Sequence, residues 1–225
     1  MQWLRQLQFD SILELLIVVT SSLLCISVHE TCHGLVAYWM GDDTAKRQGR
    51  LSLNPLRHID PIGLLMMTVA RFGWAKPVPV DVRRFKYQKA GMALTALAGP
   101  VSNVVLMITA ALLRMIVLVV SYGKELPALE YLMLFLEYTA VLSAGLAVFN
   151  LFPVPPLDGS KILFALLPPK AYNLLMRYER FGMVLLIVLL VTNVFDTPLM
   201  FMRGLLLEFA DALVLPIAKI LMQAV

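Results

Sequence analysis

Charge is scarce in this sequence. Asp, Glu, Lys and Arg supply 15% of its 225 residues, against about 25% in an average soluble domain. Cysteine is nearly absent: Cys25 and Cys32 are the only two, both inside the first apolar block. Each reads as a small buried hydrophobe rather than half of a disulfide, so no disulfide framework is available. Histidine occurs three times, which makes its placement informative. There is no internal repeat and no stretch that reads as a soluble domain.

The charge that does occur sits in short clusters. Lys46, Arg47, Arg50 and Arg57 form one, Arg71, Lys76, Arg83, Arg84, Lys86 and Lys89 a second, and Lys161, Lys170, Arg177 and Arg180 a third. The net charge of +4 is therefore not a nucleic-acid-binding surface. Basic segments between apolar blocks are how cytoplasmic loops look under the positive-inside rule.

Apolar residues, in contrast, reach 60% of the chain, and the mean hydropathy is +0.79. They fall in blocks long enough to cross a bilayer, which takes about 20 residues each. Block one runs from about Asp10 to Met40 and ends at Gly41-Asp42-Asp43; it is too long for a signal-peptide core. Further spans cover about Ala90–Tyr122, with Gly99-Pro100 as a kink, Leu126–Phe152, Phe181–Phe195 and Leu199–Leu221. The third breaks at Pro153-Val154-Pro155-Pro156 and resumes over Leu157–Leu167, and the last fits an interfacial helix as well as a span.

Ile62–Ala70 is only nine residues, about 14 Å as a helix, and reads as a re-entrant or interfacial element. Trp74–Val82 reads as an extended edge strand, because Pro77 and Pro79 cannot donate to a ladder. The expected fold is an all-α integral membrane protein of about five to six transmembrane helices, with a short re-entrant and edge-strand element after the first. It forms one domain over 1–225, with a core at about 10–167 and C-terminal helices at about 178–222. Loop charge places 41–60, 71–89 and 168–180 in the cytoplasm, and the N-terminus, 123–125 and 196–198 outside.

The chemistry concentrates at the cytoplasmic end of block one. His29-Glu30-Thr31-Cys32-His33 is an H-E-x-x-H on a helix. Its histidines, four apart, lie about 40° from one another round the axis and can converge on one metal ion. Glu30 then stands beside the metal, placed to take a proton from a water. Translocon scales put one mid-membrane Asp or Lys at about 2.5–3.5 kcal/mol. Unpaired, this cluster would be a liability; around a metal it is sensible. A catalytic zinc takes three protein ligands and keeps one position open. Asp158, His58 and Asp60 are the candidates for the third, and depth favours Asp158. For His58 a backbone hydrogen bond in its Pro-flanked loop is the better reading. Cys32 reads as packing, and Arg114 and Glu137, at similar depth in spans two and three, as an ion pair.

Two of these segments carry a family resemblance. His29-Glu30-Thr31-Cys32-His33-Gly34 resembles the H-E-x-x-H-G of site-2 proteases, intramembrane zinc metalloproteases of the M50 type. Asn150-Leu151-Phe152-Pro153-Val154-Pro155-Pro156-Leu157-Asp158-Gly159 resembles their N-x-x-P-x-P-x-L-D-G signature. Asn54–Gly63, Gly73–Val80 and Ala98–Asn103 look like the intervening segments of the compact bacterial and archaeal branch, which has no PDZ-like insertion.

The resemblance implies one Zn²⁺ per chain held by His29, His33 and Asp158, with Glu30 as general base. It implies that Asn150 holds the substrate backbone or the developing oxyanion, and that the partners are transmembrane substrate proteins in the lipid bilayer of a cell. A catalytically silent client-binding protein or a metal transporter are the alternatives. A transporter would need polar residues along the whole membrane path, and here they gather at one end.

Overall fold

The computed structural model describes residues 12–60, 75–121, 126–168, 171 and 181–223. Helix α1 spans Ile12–Trp39, α2 Thr44–Arg47, α3 Gln88–Val120, α4 Pro127–Leu151, α5 Asp158–Leu166, α6 Gly182–Val191 and α7 Asp196–Gln223. Single helical turns sit at Pro55–Arg57 and Val82–Arg84. The protein is an all-α membrane protein. Among the described residues, α1, α3 and α4 are long and apolar enough to cross a membrane. The α6–α7 pair, bent by 88°, adds at most one broken span. At about 1.5 Å per residue, α6 alone reaches only about 15 Å, half the hydrocarbon thickness. The proposed re-entrant run Ile62–Ala70 and the residue Trp74 lie outside the described residues.

The chain divides into two compact units. The first comprises 12–25, 103–149 and 187–223 among the described residues. Its core joins Met107 and Ala110 of α3 to Leu136, Ala140 and Ala144 of α4 and Ala210 of α7. Small residues let helices approach closely where lipid gives no hydrophobic drive between them. Ser21 donates to the Phe135 carbonyl, and Cys25 Sγ lies 3.1 Å from Ser143 Oγ. Cys25 is thus the buried small residue expected, with a hydrogen-bonding role added. Arg114 and Glu137 form the expected ion pair, Nη2 to Oε2 at 3.1 Å.

The second unit comprises 26–60, 75–102, 150–168, 171 and 181–186 among the described residues. Ala37 of α1, Phe85, Met92 of α3 and Phe164 of α5 form its apolar core. Helix α1 ends at Gly41, which takes a positive φ of 109° that favours glycine. Helix α3 runs through Pro100 without interruption. The stretch from Lys76 to Asp81 lies outside any helix, with extended backbone at Asp81, and among the described residues the one strand pairing beside it is the isolated antiparallel bridge Ile59–Ala75. Helix α4 stops at Leu151 because the prolines at 153, 155 and 156 lack the N–H a helix needs. The chain becomes helical again at Asp158.

Candidate metal centre

His29 and His33 sit one turn apart on α1, their rings edge to face with centroids 4.5 Å apart. The proline break delivers Asp158 to them as the first residue of α5. Its Oδ2 lies 3.1 Å from His29 Nε2 and 3.0 Å from His33 Nε2. All three residues are buried. One ligand atom from each lies within 4.8 Å of the other two, and no other such group of three occurs among the described residues.

Hydrogen bonding argues for a cation between them. The Nδ1–H of His33 donates to the Thr95 carbonyl at 2.6 Å. In a neutral ring this leaves a lone pair on Nε2, which faces the lone pairs of Asp158 Oδ2. Two acceptors at that distance repel unless a proton or a metal lies between. Two imidazoles and a carboxylate are a donor set suited to zinc. Ligands at about 2.0–2.1 Å round a tetrahedral ion stand about 3.3 Å from one another, close to the spacings observed. The residues fit the metal.

Glu30, next along α1, is turned by about 100° from His29 and meets a different element. Its Oε2 accepts from the Val78 N–H at 2.8 Å. Gly34 is four residues on, on the same face. A Cβ there would stand 2.5 Å from Leu51 Cδ2 and 3.0 Å from Val78 Cγ1, so glycine admits the extended segment. Arg50, buried, holds that segment from behind: its Nη2 donates to the Lys76 carbonyl at 2.7 Å and the Pro77 carbonyl at 3.2 Å.

A cavity of about 370 Å³ opens on these groups. Glu30, Asn150, Asp158 and Lys161 supply polar lining, and Val80, Phe85 and Met92 are part of its apolar wall. Lys161 Nζ lies 3.5 Å from Asp158 Oδ1, the oxygen turned away from the histidines. The other candidate ligands are elsewhere. His58 is buried and donates from Nε2 to the Ser52 carbonyl at 2.7 Å, the backbone role expected of it. Asp60 is not among the converging groups. Thr95, Val78 and Arg50 were not legible as site residues, because two act through backbone atoms and the third lies in a basic loop.

Peptidase family M50 matches residues 115–192, the stretch holding Asn150 and Asp158. The Bacillus subtilis protein named "Putative zinc metalloprotease YwhC" is 42% identical over 177 residues, 78% of this chain and 80% of its own. The chain belongs to peptidase family M50. Two mycobacterial proteins named "Putative zinc metalloprotease Rip2" are similar at lower identity. The protein of Mycolicibacterium smegmatis is 28% identical over 79% of this chain and 67% of its own. That of Mycobacterium tuberculosis strain H37Rv is 31% identical over 76% of this chain and 65% of its own. No solved structure matches.

Proposed function

We propose that this M50 peptidase is a zinc endopeptidase that hydrolyses peptide bonds within or near transmembrane segments of membrane-protein substrates. The observation that carries the reading is the convergence of His29, His33 and Asp158 on one point, with Glu30 beside it in the same cavity. His29, His33 and Asp158 would hold one Zn²⁺ per chain. Bound there, zinc supplies the Lewis acidity that polarises a carbonyl and acidifies a water. Glu30 accepts the proton of the attacking water and passes it to the leaving amine. Asn150 donates to the developing oxyanion or to the substrate backbone.

A peptide bond in a transmembrane helix is hydrogen-bonded and shielded, so the substrate must unwind before it is cut. The extended stretch around Val80 lines the cavity, and an unwound substrate adds to it as a strand. Val80→Pro tests this: unchanged cleavage of a model substrate counts against strand addition. The basic residues Lys46, Arg47, Arg83, Arg84 and Lys86 belong to the same unit as the site. They support a multi-pass protein with its active site near the cytoplasmic face and its N-terminus outside.

The deciding experiment measures zinc content and cleavage of a panel of single-span substrates by the detergent-purified protein, Glu30→Gln and Asp158→Ala. We expect one zinc per wild-type chain, cleavage lost with zinc retained in Glu30→Gln, and zinc lost or weakened in Asp158→Ala. Zinc without cleavage of any substrate would favour a client-binding protein. A folded wild-type chain without zinc would refute the reading.

A further inference from the structure

Glycine is the poorest helix former after proline, yet Gly99 sits well inside α3, and the proposed chemistry does not use it. Its surroundings explain its identity. A Cβ at position 99 would stand 2.5 Å from His29 Cε1, His29 Nε2 and His33 Nε2. Two of these three atoms are the nitrogens that face Asp158, so a methyl group would strike the converging atoms themselves rather than the backs of the rings.

Neither ring has an easy way to retreat. The Thr95 carbonyl fixes His33 through Nδ1, and His29 Nε2 is engaged with Asp158 Oδ2. Both rings are buried. Thr95 and Gly99 are four apart and share a face of α3: the first gives the histidine pair an acceptor, the second gives it room. We infer that α3 is the backbone wall of the metal centre, and that Gly99 is the positioning residue on which the convergence of His29 and His33 depends. The consequence for zinc rests on the metal reading above; the wall itself does not.

Gly99→Ala adds one methyl group and tests both parts. Gly204→Ala is the control, since a Cβ at Gly204 meets nothing within 4 Å. Zinc affinity is read by competition with a chromophoric chelator. The thermal midpoint of the metal-stripped protein is read for Gly99→Ala alone and in a His29→Ala/His33→Ala background. We expect Gly99→Ala to weaken zinc at least about tenfold and to lower the midpoint only where the imidazoles are present, while Gly204→Ala lowers neither. Failure of Gly99→Ala to fold with the histidines, relieved when they are truncated, supports the same conclusion. Zinc affinity equal to wild type overturns the proposal, as does an equal midpoint loss in both backgrounds or failure to fold in both. A wild-type chain that holds no zinc removes the metal reading alone, and the midpoints then decide whether Gly99 accommodates the histidines.

Discussion

Replacing Arg50 by Met removes the strut behind the segment that meets Glu30. The prolines at 77 and 79 deprive this stretch of two backbone donors, so a few bonds fix its position. The Lys76 N–H donates to the His58 carbonyl at 2.8 Å, the Val78 N–H to Glu30 and the Asp81 N–H to Asp42 Oδ2 at 2.6 Å. Arg50 adds two from its guanidinium, one of them long. Hydrogen bonds to a charged group contribute about 1.5–3 kcal/mol each, so the pair contributes roughly 3 kcal/mol. At about 1.4 kcal/mol per factor of ten, this figure, the low end of the range because one bond is long, corresponds to a loss of correctly placed segment on the order of 10²-fold. Methionine keeps much of the buried stem, which confines the change to the fork.

Under the proposed function, the expected result for Arg50→Met is a fall in kcat/KM of about 10–100-fold on a single-span substrate, with zinc content unchanged. Arg50→Lys falls between, because an ammonium keeps the charge but loses the fork. Cleavage by Arg50→Met within about twofold of wild type would refute the strut. Loss of zinc together with cleavage would instead assign Arg50 to the folding of the whole centre.

Three further outcomes are expected. Under the proposed function, Asn150→Ala lowers kcat about 10²–10³-fold with KM little changed; steady-state kinetics in which only KM rises would make it a substrate-binding group. Arg114→Leu leaves Glu137 unpaired in a span and lowers the thermal midpoint in detergent more than Arg114→Leu/Glu137→Leu does; equal midpoints would show that the pair contributes nothing. The Arg83 guanidinium holds the Asp81 carboxyl below its usual range, and Arg47 and Arg84, against a desolvation that acts the other way, do the same for Asp43. Such depressed values add stability that is complete above about pH 4 and lost as pH falls through the folded-state values. Arg84→Ala therefore flattens the acid limb of the midpoint-versus-pH curve, slightly, because these groups are exposed. Curves that superimpose would count against the effect.

The legible part of the candidate site was the part written in side chains. His29, Glu30, His33 and Asp158 carry groups that are costly in an apolar helix, so each stood out against its neighbours. The proline run announced the break that turns Asp158 inward. Helix ends were readable for the same reason: Gly41 closes α1 where the apolar run stops. What was not legible acts through backbone. The Thr95 carbonyl and Val78 N–H exist at nearly every position, and only the fold selects which of them matters. The strand expected over Trp74–Val82 shows the same limit. Its prolines specify extended backbone but not a partner, and the described residues give it a single bridge at Ala75. Residue composition likewise marked Phe181–Phe195 as apolar, but not the turn at 192–195 that leaves α6 ten residues long.

The hexapeptide His29–Gly34 is organised by this division between side chain and backbone. Successive residues of a helix diverge by about 100°, so the element that positions the histidines cannot also position the glutamate between them. The structure uses two. Helix α3 takes the 29/33 face, with the Thr95 carbonyl as acceptor and Gly99 as clearance. The extended segment takes the 30/34 face, with the Val78 N–H as donor and Gly34 as clearance. Each face thus pairs one backbone hydrogen bond with one glycine, on α3 in the first case and on α1 in the second. Glu30 and the candidate ligands are held by separate parts of the chain, so displacing the segment can move Glu30 without disturbing the histidines. Loss of cleavage with zinc retained, as expected for Arg50→Met, is the signature of that independence.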